Sequence, residues 1–196
     1  KREGGQTAFD INKDKGTTNA YGIGLKTNRL EGYHKMGVVL NGNPKSIALI
    51  NSVIWHDEED FFGLNDYDGT QINYNGSFQF ESIINTTDHK INVGGSFVYD
   101  DYKETYNDVN YNRKDIVPGI FAEYTYSYLK KLKIIGGLRG DYHNKFGVQV
   151  SPRLHLRYSP TELTAIRISA GKGFRTANFF AEQKSFLASS RTLQIE

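Results

Sequence analysis

The sequence predicts an all-β fold, an antiparallel up-and-down segment of a transmembrane β-barrel with about nine strands. Three observations predict it. Apolar residues recur with period two along most of the chain, the spacing of a strand with unlike faces. The alternating stretches run to roughly ten residues, enough to cross a bilayer when tilted. Short polar turns alternate with longer loops, the layout of a barrel whose turns lie on the periplasmic side and whose loops lie outside.

The strands follow in chain order. Tyr21, Ile23 and Leu25 oppose Gly22, Gly24 and Lys26; Met36, Val38 and Leu40 oppose Lys35 and Asn41. The stretch 47–56 is apolar on both faces, so pattern alone does not set its register. Ile72, Tyr74, Phe78 and Phe80 oppose Asn73, Asn75, Ser77, Gln79 and Glu81; Ile91, Val93, Phe97 and Tyr99 oppose Asn92, Ser96 and Asp100. Ile120, Ala122, Tyr124, Tyr126 and Tyr128 oppose Glu123, Thr125 and Ser127; Leu132, Ile134, Leu138 and Tyr142 oppose Lys133, Arg139 and Asp141. The cleanest alternation sets Leu154, Leu156 and Tyr158 against Arg153, His155 and Arg157. Ile166, Ile168 and Ala170 then oppose Arg167 and Ser169. Turn chemistry marks 41–44, 85–90, 129–131 and 159–162, and longer loops are predicted at 56–69, 102–115 and from 173 onward. Partial helical spacing over 179–187 predicts a short helix in the last loop.

Composition narrows the function classes. The 24 basic and 22 acidic residues nearly balance, so no concentrated basic surface speaks for nucleic acid. Cysteine is absent, which removes disulfides and thiolate metal sites. Mean hydropathy is −0.56, and no apolar run suits a membrane helix. A barrel strand averages out as polar, so that value does not speak against a membrane wall. The opening Lys1-Arg2-Glu3-Gly4-Gly5 holds no apolar signal-peptide core, so the chain is expected to start within a longer protein. A soluble antiparallel sandwich also alternates, its apolar face turned to a core. Strand length, loop asymmetry and strands ending in Tyr99, Tyr128, Tyr142 and Tyr158 favour lipid over a core.

Three consecutive stretches carry a resemblance. Gly137-Leu138-Arg139-Gly140-Asp141-Tyr142-His143 resembles the GLR-x-D-x-H strand of TonB-dependent receptors. The run from Val150 through Ser151-Pro152-Arg153-Leu154 to Tyr158-Ser159-Pro160 resembles their SPR-L-x-L-x-Y-x-P strand and turn. Ile166-Arg167-Ile168-Ser169-Ala170-Gly171-Lys172-Gly173-Phe174-Arg175 is similar to their LR-x-S-x-G-x-GFR strand. The three motifs stand in the family's order and span about a quarter of the chain; any one alone is weak. The continuation Thr176-Ala177-Asn178-Phe179-Phe180-Ala181-Glu182 departs from the commoner Ala-Pro form and looks like the Bacteroidetes branch. Ile195 stands where the family's later L-x-PE run has proline. The resemblance implies a 22-stranded barrel filled by an N-terminal plug. The chain, 1–196, is then expected to be part of the barrel, with plug domain, TonB-contacting segment and closing strands lying elsewhere.

Candidate sites fall into two groups. Arg139, Asp141, Arg153, His155, Arg157 and Arg167 lie on the polar faces of three successive strands, which in a barrel line the lumen and meet the plug or the solute's path. The alternative is a solvated wall of cross-strand Arg–Asp pairs, each worth under about 1 kcal/mol where exposed. Asp60, Phe61, Phe62, Tyr67, Tyr106, Tyr111 and Arg175 are candidates for extracellular-loop contact with a ligand, the aromatics as stacking surfaces. Asn65, Asp66 and Asp68 are possible calcium ligands, but the EF-hand pattern fails for want of its final glutamate, and a plain acidic surface loop is the stronger expectation. Gly171-Lys172-Gly173 lacks P-loop spacing, the histidines are too scattered for zinc, and no Gly-x-Ser-x-Gly elbow occurs. No metal and no cofactor are therefore expected.

The expected function is that of a non-enzymatic outer-membrane transport receptor segment. The resemblance implies a bacterial outer-membrane location, TonB-driven uptake of a scarce solute (iron chelate, cobalamin or glycan), and contact with lipid and with the receptor's own plug. A surface lipoprotein is a further candidate partner. Two rivals stay open. A barrel enzyme would need a His/Asp/Ser grouping, for which His56 with Asp57 and Asp60 is the one faint candidate; a soluble carbohydrate-binding β-sandwich would need its apolar faces pressed together.

Overall fold

The computed structural model of the chain describes residues 1–40, 44–129 and 131–188. The strands are β1 (Arg2–Gly5), β2 (Gly22–Leu40), β3 (Lys45–Phe62), β4 (Asn65–Ile84), β5 (Thr86–Tyr106), β6 (Val109–Asn110), β7 (Arg113–Tyr128), β8 (Leu132–His143), β9 (Gly147–Thr161) and β10 (Thr164–Gly171). Three single-turn helices are α1 (Ile11–Asp14), α2 (Phe179–Glu182) and α3 (Lys184–Leu187). All ten strands form one antiparallel sheet in the order β1-β2-β3-β4-β5-β7-β8-β9-β10, with the short β6 paired on β5. Apart from the two-residue β6, consecutive strands are neighbours, the meander expected of a barrel wall.

Register sorts the side chains. Residues directly opposite in an antiparallel pair point to the same side. Val38, Ile47, Phe80, Val93 and Ala122 are linked in one such row, and Leu30, Trp55 and Ile72 in another. Leu138, Leu154, Leu156, Ile168 and Ala170 continue this face across β8–β10. The ambiguous stretch 47–56 is thereby settled: Ile47, Leu49, Val53 and Trp55 join the apolar face, while Ile50 and Ile54 turn to the other. Ile47 to Trp55 covers nine residues, or roughly 30 Å of strand; tilted as barrel strands are, that matches an apolar band about 25 Å tall. Tyr128 and Tyr158 border this band at one end, Trp55 and Tyr142 at the other.

Nothing in the described chain covers that face. Ile120 is 74% exposed, Val148 71% and Leu30 70%. A sandwich requires a second sheet there, and the described residues form only one.

The structure corrects three expectations. The segments 21–26 and 36–41 are pieces of one strand, because 27–35 stays paired residue for residue with 50–58. The loop predicted at 56–69 does not exist: β3 and β4 run through it, 18 and 20 residues long, and reverse at Gly63-Leu64. The loop at 102–115 shortens likewise to a turn at Asn107-Asp108, both left-handed at φ 46° and 65°, the backbone that a two-residue hairpin requires. About ten residues cross a bilayer, so the remaining length of these strands stands beyond the apolar band as a rim. Turn 41–44 lies mostly outside the described residues, as does 193–196.

Candidate functional site

The face opposite the apolar band holds the site. Register puts Arg139, Asp141, Arg153, His155, Arg157 and Arg167 all on it. Arg139 donates from Nε to Asp141 Oδ2 at 2.7 Å and from Nη2 to Asp141 Oδ1 at 2.6 Å and Ser96 Oγ at 2.7 Å. Arg153 pairs with Glu123 of β7. His155 Nδ1 lies 2.9 Å from Ser169 Oγ. Glycines make room for these side chains to lie flat across neighbouring strands. A Cβ on Gly119 would sit 2.0 Å from Asp141 Oδ1, and one on Gly137 2.9 Å from Arg153 Nε. Arg139, Asp141 and Arg153 thus border one hollow of about 450 Å³, which Lys172, Gly173 and Phe174 also line. Arg157 and Arg167 stand apart from it, opposite one another nearer the turns.

Beyond the band, the segment 172–188 lies across this polar face as a strap. Phe174 packs edge-on against His143 and Phe146, at 5.8 and 6.0 Å between ring centres. His143 is fully buried. Its Nδ1 accepts from the backbone N–H of Lys145 at 3.0 Å, which leaves Nε2 to carry the proton and donate to Thr176 Oγ1 at 3.1 Å. Arg113 Nη1 donates to the Ala177 carbonyl at 3.4 Å, while its guanidinium stacks 4.3 Å over Tyr102. Asn178 caps α2 by accepting from the Ala181 N–H. Phe180 then stacks on Tyr67 at 5.1 Å and touches the rings of Tyr106 and Tyr111. Leu187 is completely buried, and its carbonyl accepts from Asn65 Nδ2 at 2.8 Å.

Two charged contacts hold the strap to the rim. Lys184 reaches Glu58 and lies 3.1 Å from Asp60 Oδ2. Burial, with Glu58 beside it, pushes the Asp60 carboxyl up to about 6 despite Lys184. Glu104 is raised by burial as well, against the pull of the Tyr67 hydroxyl that donates to its Oε1 at 3.0 Å. The Tyr67 phenol is raised in turn by burial and by the neighbouring Glu104.

Several ligand candidates therefore sit elsewhere than expected. Asp60, Phe61, Phe62, Tyr67 and Tyr106 are strand residues, and all five are buried. Phe62, Tyr67 and Tyr106 form a small core with Phe180 and Leu187, against which Tyr111 and Phe179 pack. Phe61 points to the other side, 6.2 Å from Phe9, with Lys15 over its ring. Arg175 is exposed and grips Glu182 through two 2.9 Å hydrogen bonds. Of the grouping suggested for an enzyme, His56 and Asp60 share one face, four residues apart along β3, while Asp57 points to the other, so the three do not come together. Asn65 and Asp66 diverge in the same way. The strap's anchors Lys184 and Leu187, and the buried His143 and Glu104, were missed by sequence reasoning. The helical spacing at 179–187 was their visible trace.

Comparison with known proteins identifies a family. The model of the family "TonB dependent receptor-like, beta-barrel" matches residues 2–191. No curated protein and no solved structure matches the chain. Since the match runs over nearly the whole chain, and the strands make the uninterrupted antiparallel meander a barrel wall requires, the chain belongs to the family of TonB dependent receptor-like β-barrels.

Proposed function

We propose that this chain forms part of the wall of an outer-membrane active-transport receptor, its apolar face against lipid and its polar face around an enclosed, wet interior. One observation supports this above the others: among the described residues there is a single sheet, and none of them covers its apolar band. Such a surface is stable only in contact with lipid or another apolar body. On this reading a plug domain fills the interior. TonB delivers force to it from the periplasm, and the solute (an iron chelate, cobalamin or a glycan) enters past the strap. The chain supplies no reacting group, because the work comes from the partner.

Solute contacts are assigned to the outer surface of the strap, where Arg175 and Phe186 are exposed, rather than to the buried Phe62, Tyr67 and Tyr106. Arg139, Asp141 and Arg153 face the plug. Uptake of labelled ferric chelates, cobalamin and oligosaccharides by cells with and without the receptor tests this. Receptor-dependent uptake of one class, abolished when TonB is inactivated, is the expected result. Uptake of every class that is indifferent to both would refute it.

A further inference from the structure

The apolar band is interrupted at one place. His34 of β2 is directly opposite Asn51 of β3, and register turns both side chains to the outer side. Asn51 lies four residues from Ile47 and four from Trp55, and His34 four from Leu30 and four from Val38, so the pair stands midway across the band. Elsewhere in the band the outward residues are apolar, glycine, proline or tyrosine. Tyr74 of β4 lies over Gly76, which is directly opposite Asn51, and donates to Asn51 Oδ1 at 2.9 Å. That bond leaves both N–H groups of the Asn51 amide without a partner among the described residues, and His34 has none there at all. Gly32 stands two residues from His34 on the same side, and a Cβ added to it would meet nothing within 4 Å. Hydrocarbon satisfies none of these polar groups, so their place at mid-bilayer is costly unless another polar group meets them.

We propose that this polar notch is the contact between two copies of the receptor lying side by side in the membrane. The inference rests on the reading above, in which the apolar face meets lipid. Lipid tails bring no donor or acceptor to that depth, so the partner is a polypeptide that spans the bilayer. The notch is complementary to itself. Asn51 offers two donors, and a neutral imidazole offers one acceptor and one donor. Two copies that face each other about an axis along the membrane normal stay at the same depth and exchange left for right. His34 of each copy then meets Asn51 of the other, the reciprocity that a two-fold contact requires. Gly32 lets the two walls approach closely beside the pair, as small residues do at contacts within membranes.

The test places a benzophenone analogue of phenylalanine at Phe78, which faces outward beside the notch, in the full-length receptor in its native membrane. The same analogue at Leu154 of β9, on the outer side and away from the notch, serves as control. Two copies carrying different affinity tags are expressed together. Illumination should join the two tags in one adduct from position 78 and give lipid adducts alone from position 154. The joined adduct should fall about tenfold in the His34→Leu/Asn51→Leu variant, the effect of losing two reciprocal hydrogen bonds within the membrane. Leucine suits hydrocarbon, so this variant should keep the heat-modifiable gel mobility of a folded barrel. Adducts from position 78 that stay within one copy, that reach a different protein or that hold lipid alone would each overturn the paired receptor, as would an unchanged yield in the variant. Adducts within one copy from both positions would instead sink the barrel reading itself.

Discussion

Strand β2 is greasy on one side near the turns and on the other near the rim. Leu30, Met36 and Val38 face outward in the bare band, while Ile23 and Leu25 face the opposite way and pack under Phe180 and Leu187. β3 switches in the same manner, from Ile47, Leu49, Val53 and Trp55 to Phe62. A strand has only two sides, so a change of apolar side marks a change of solvent. In the band the apolar partner lies outside the sheet. In the rim it is the chain's own strap, and the outer side carries Asp57, Glu59, Asp66 and Asp68. On the proposed reading, the crossover between Trp55 and Asp57 marks the edge of the bilayer.

Mutations can break or sharpen that contrast. The largest effect is expected from Phe180→Ala, which removes a buried ring from the rim core and should cost about 3–5 kcal/mol. The loss should appear as faster hydrogen exchange and proteolysis confined to 172–188, with the band unaffected. Equal loss of protection in β8 and β9 would mean the two regions are not separate.

Ile120→Arg comes next. Inside the band, one pair from its rim-side border, it should cost about 1–2 kcal/mol in lipid vesicles, although the residue is 74% exposed and the same change on a soluble surface would be nearly neutral. Denaturant unfolding in vesicles measures it, and an unchanged midpoint would place the band in water.

The difference between regions also explains what the sequence could show. In the band one face is apolar and the other polar, so Leu154, Leu156 and Tyr158 against Arg153, His155 and Arg157 could be read directly, and they stand in the structure as read. In the rim both faces are polar over Asp57-Glu58-Glu59-Asp60, period two vanishes, and a strand passes for a loop. Its turn is marked by little more than Gly63, left-handed at φ 64°. The docking of Lys184 on Glu58 and Asp60 joins residues more than a hundred positions apart, which no local pattern records. Asp60, Phe62 and Tyr67 were therefore visible as unusual but not as buried.

A smaller effect concerns pH. The Asp60 carboxyl titrates near 6 in the fold against 3.8 in the unfolded chain, so the folded state binds that proton more tightly. Acidification from about 6 towards 3.8 should add stability, and the benefit is absent above 6; Glu104, raised too, acts in the same direction. Asp60→Asn should flatten the rise in Tm over that window. A Tm that falls with acid equally in both proteins would contradict the assignment.

The smallest effect is expected at Arg175→Ala. Its pair with Glu182 lies at the surface, where such pairs contribute little, so Tm should hardly move. If solute affinity drops while Tm stays, Arg175 contacts solute rather than holding the strap.

The most direct measurement is a spin-label scan of β3 from 46 to 62 in bilayers. Oxygen accessibility should alternate with period two, with maxima at Ile47, Leu49, Val53 and Trp55, and the alternation should stop beyond Trp55, with Phe62 shielded from both oxygen and water-soluble reagent. Maxima on the Ser46, Ile50 and Ile54 side, or no alternation at all, would contradict a sheet that meets lipid on its apolar face.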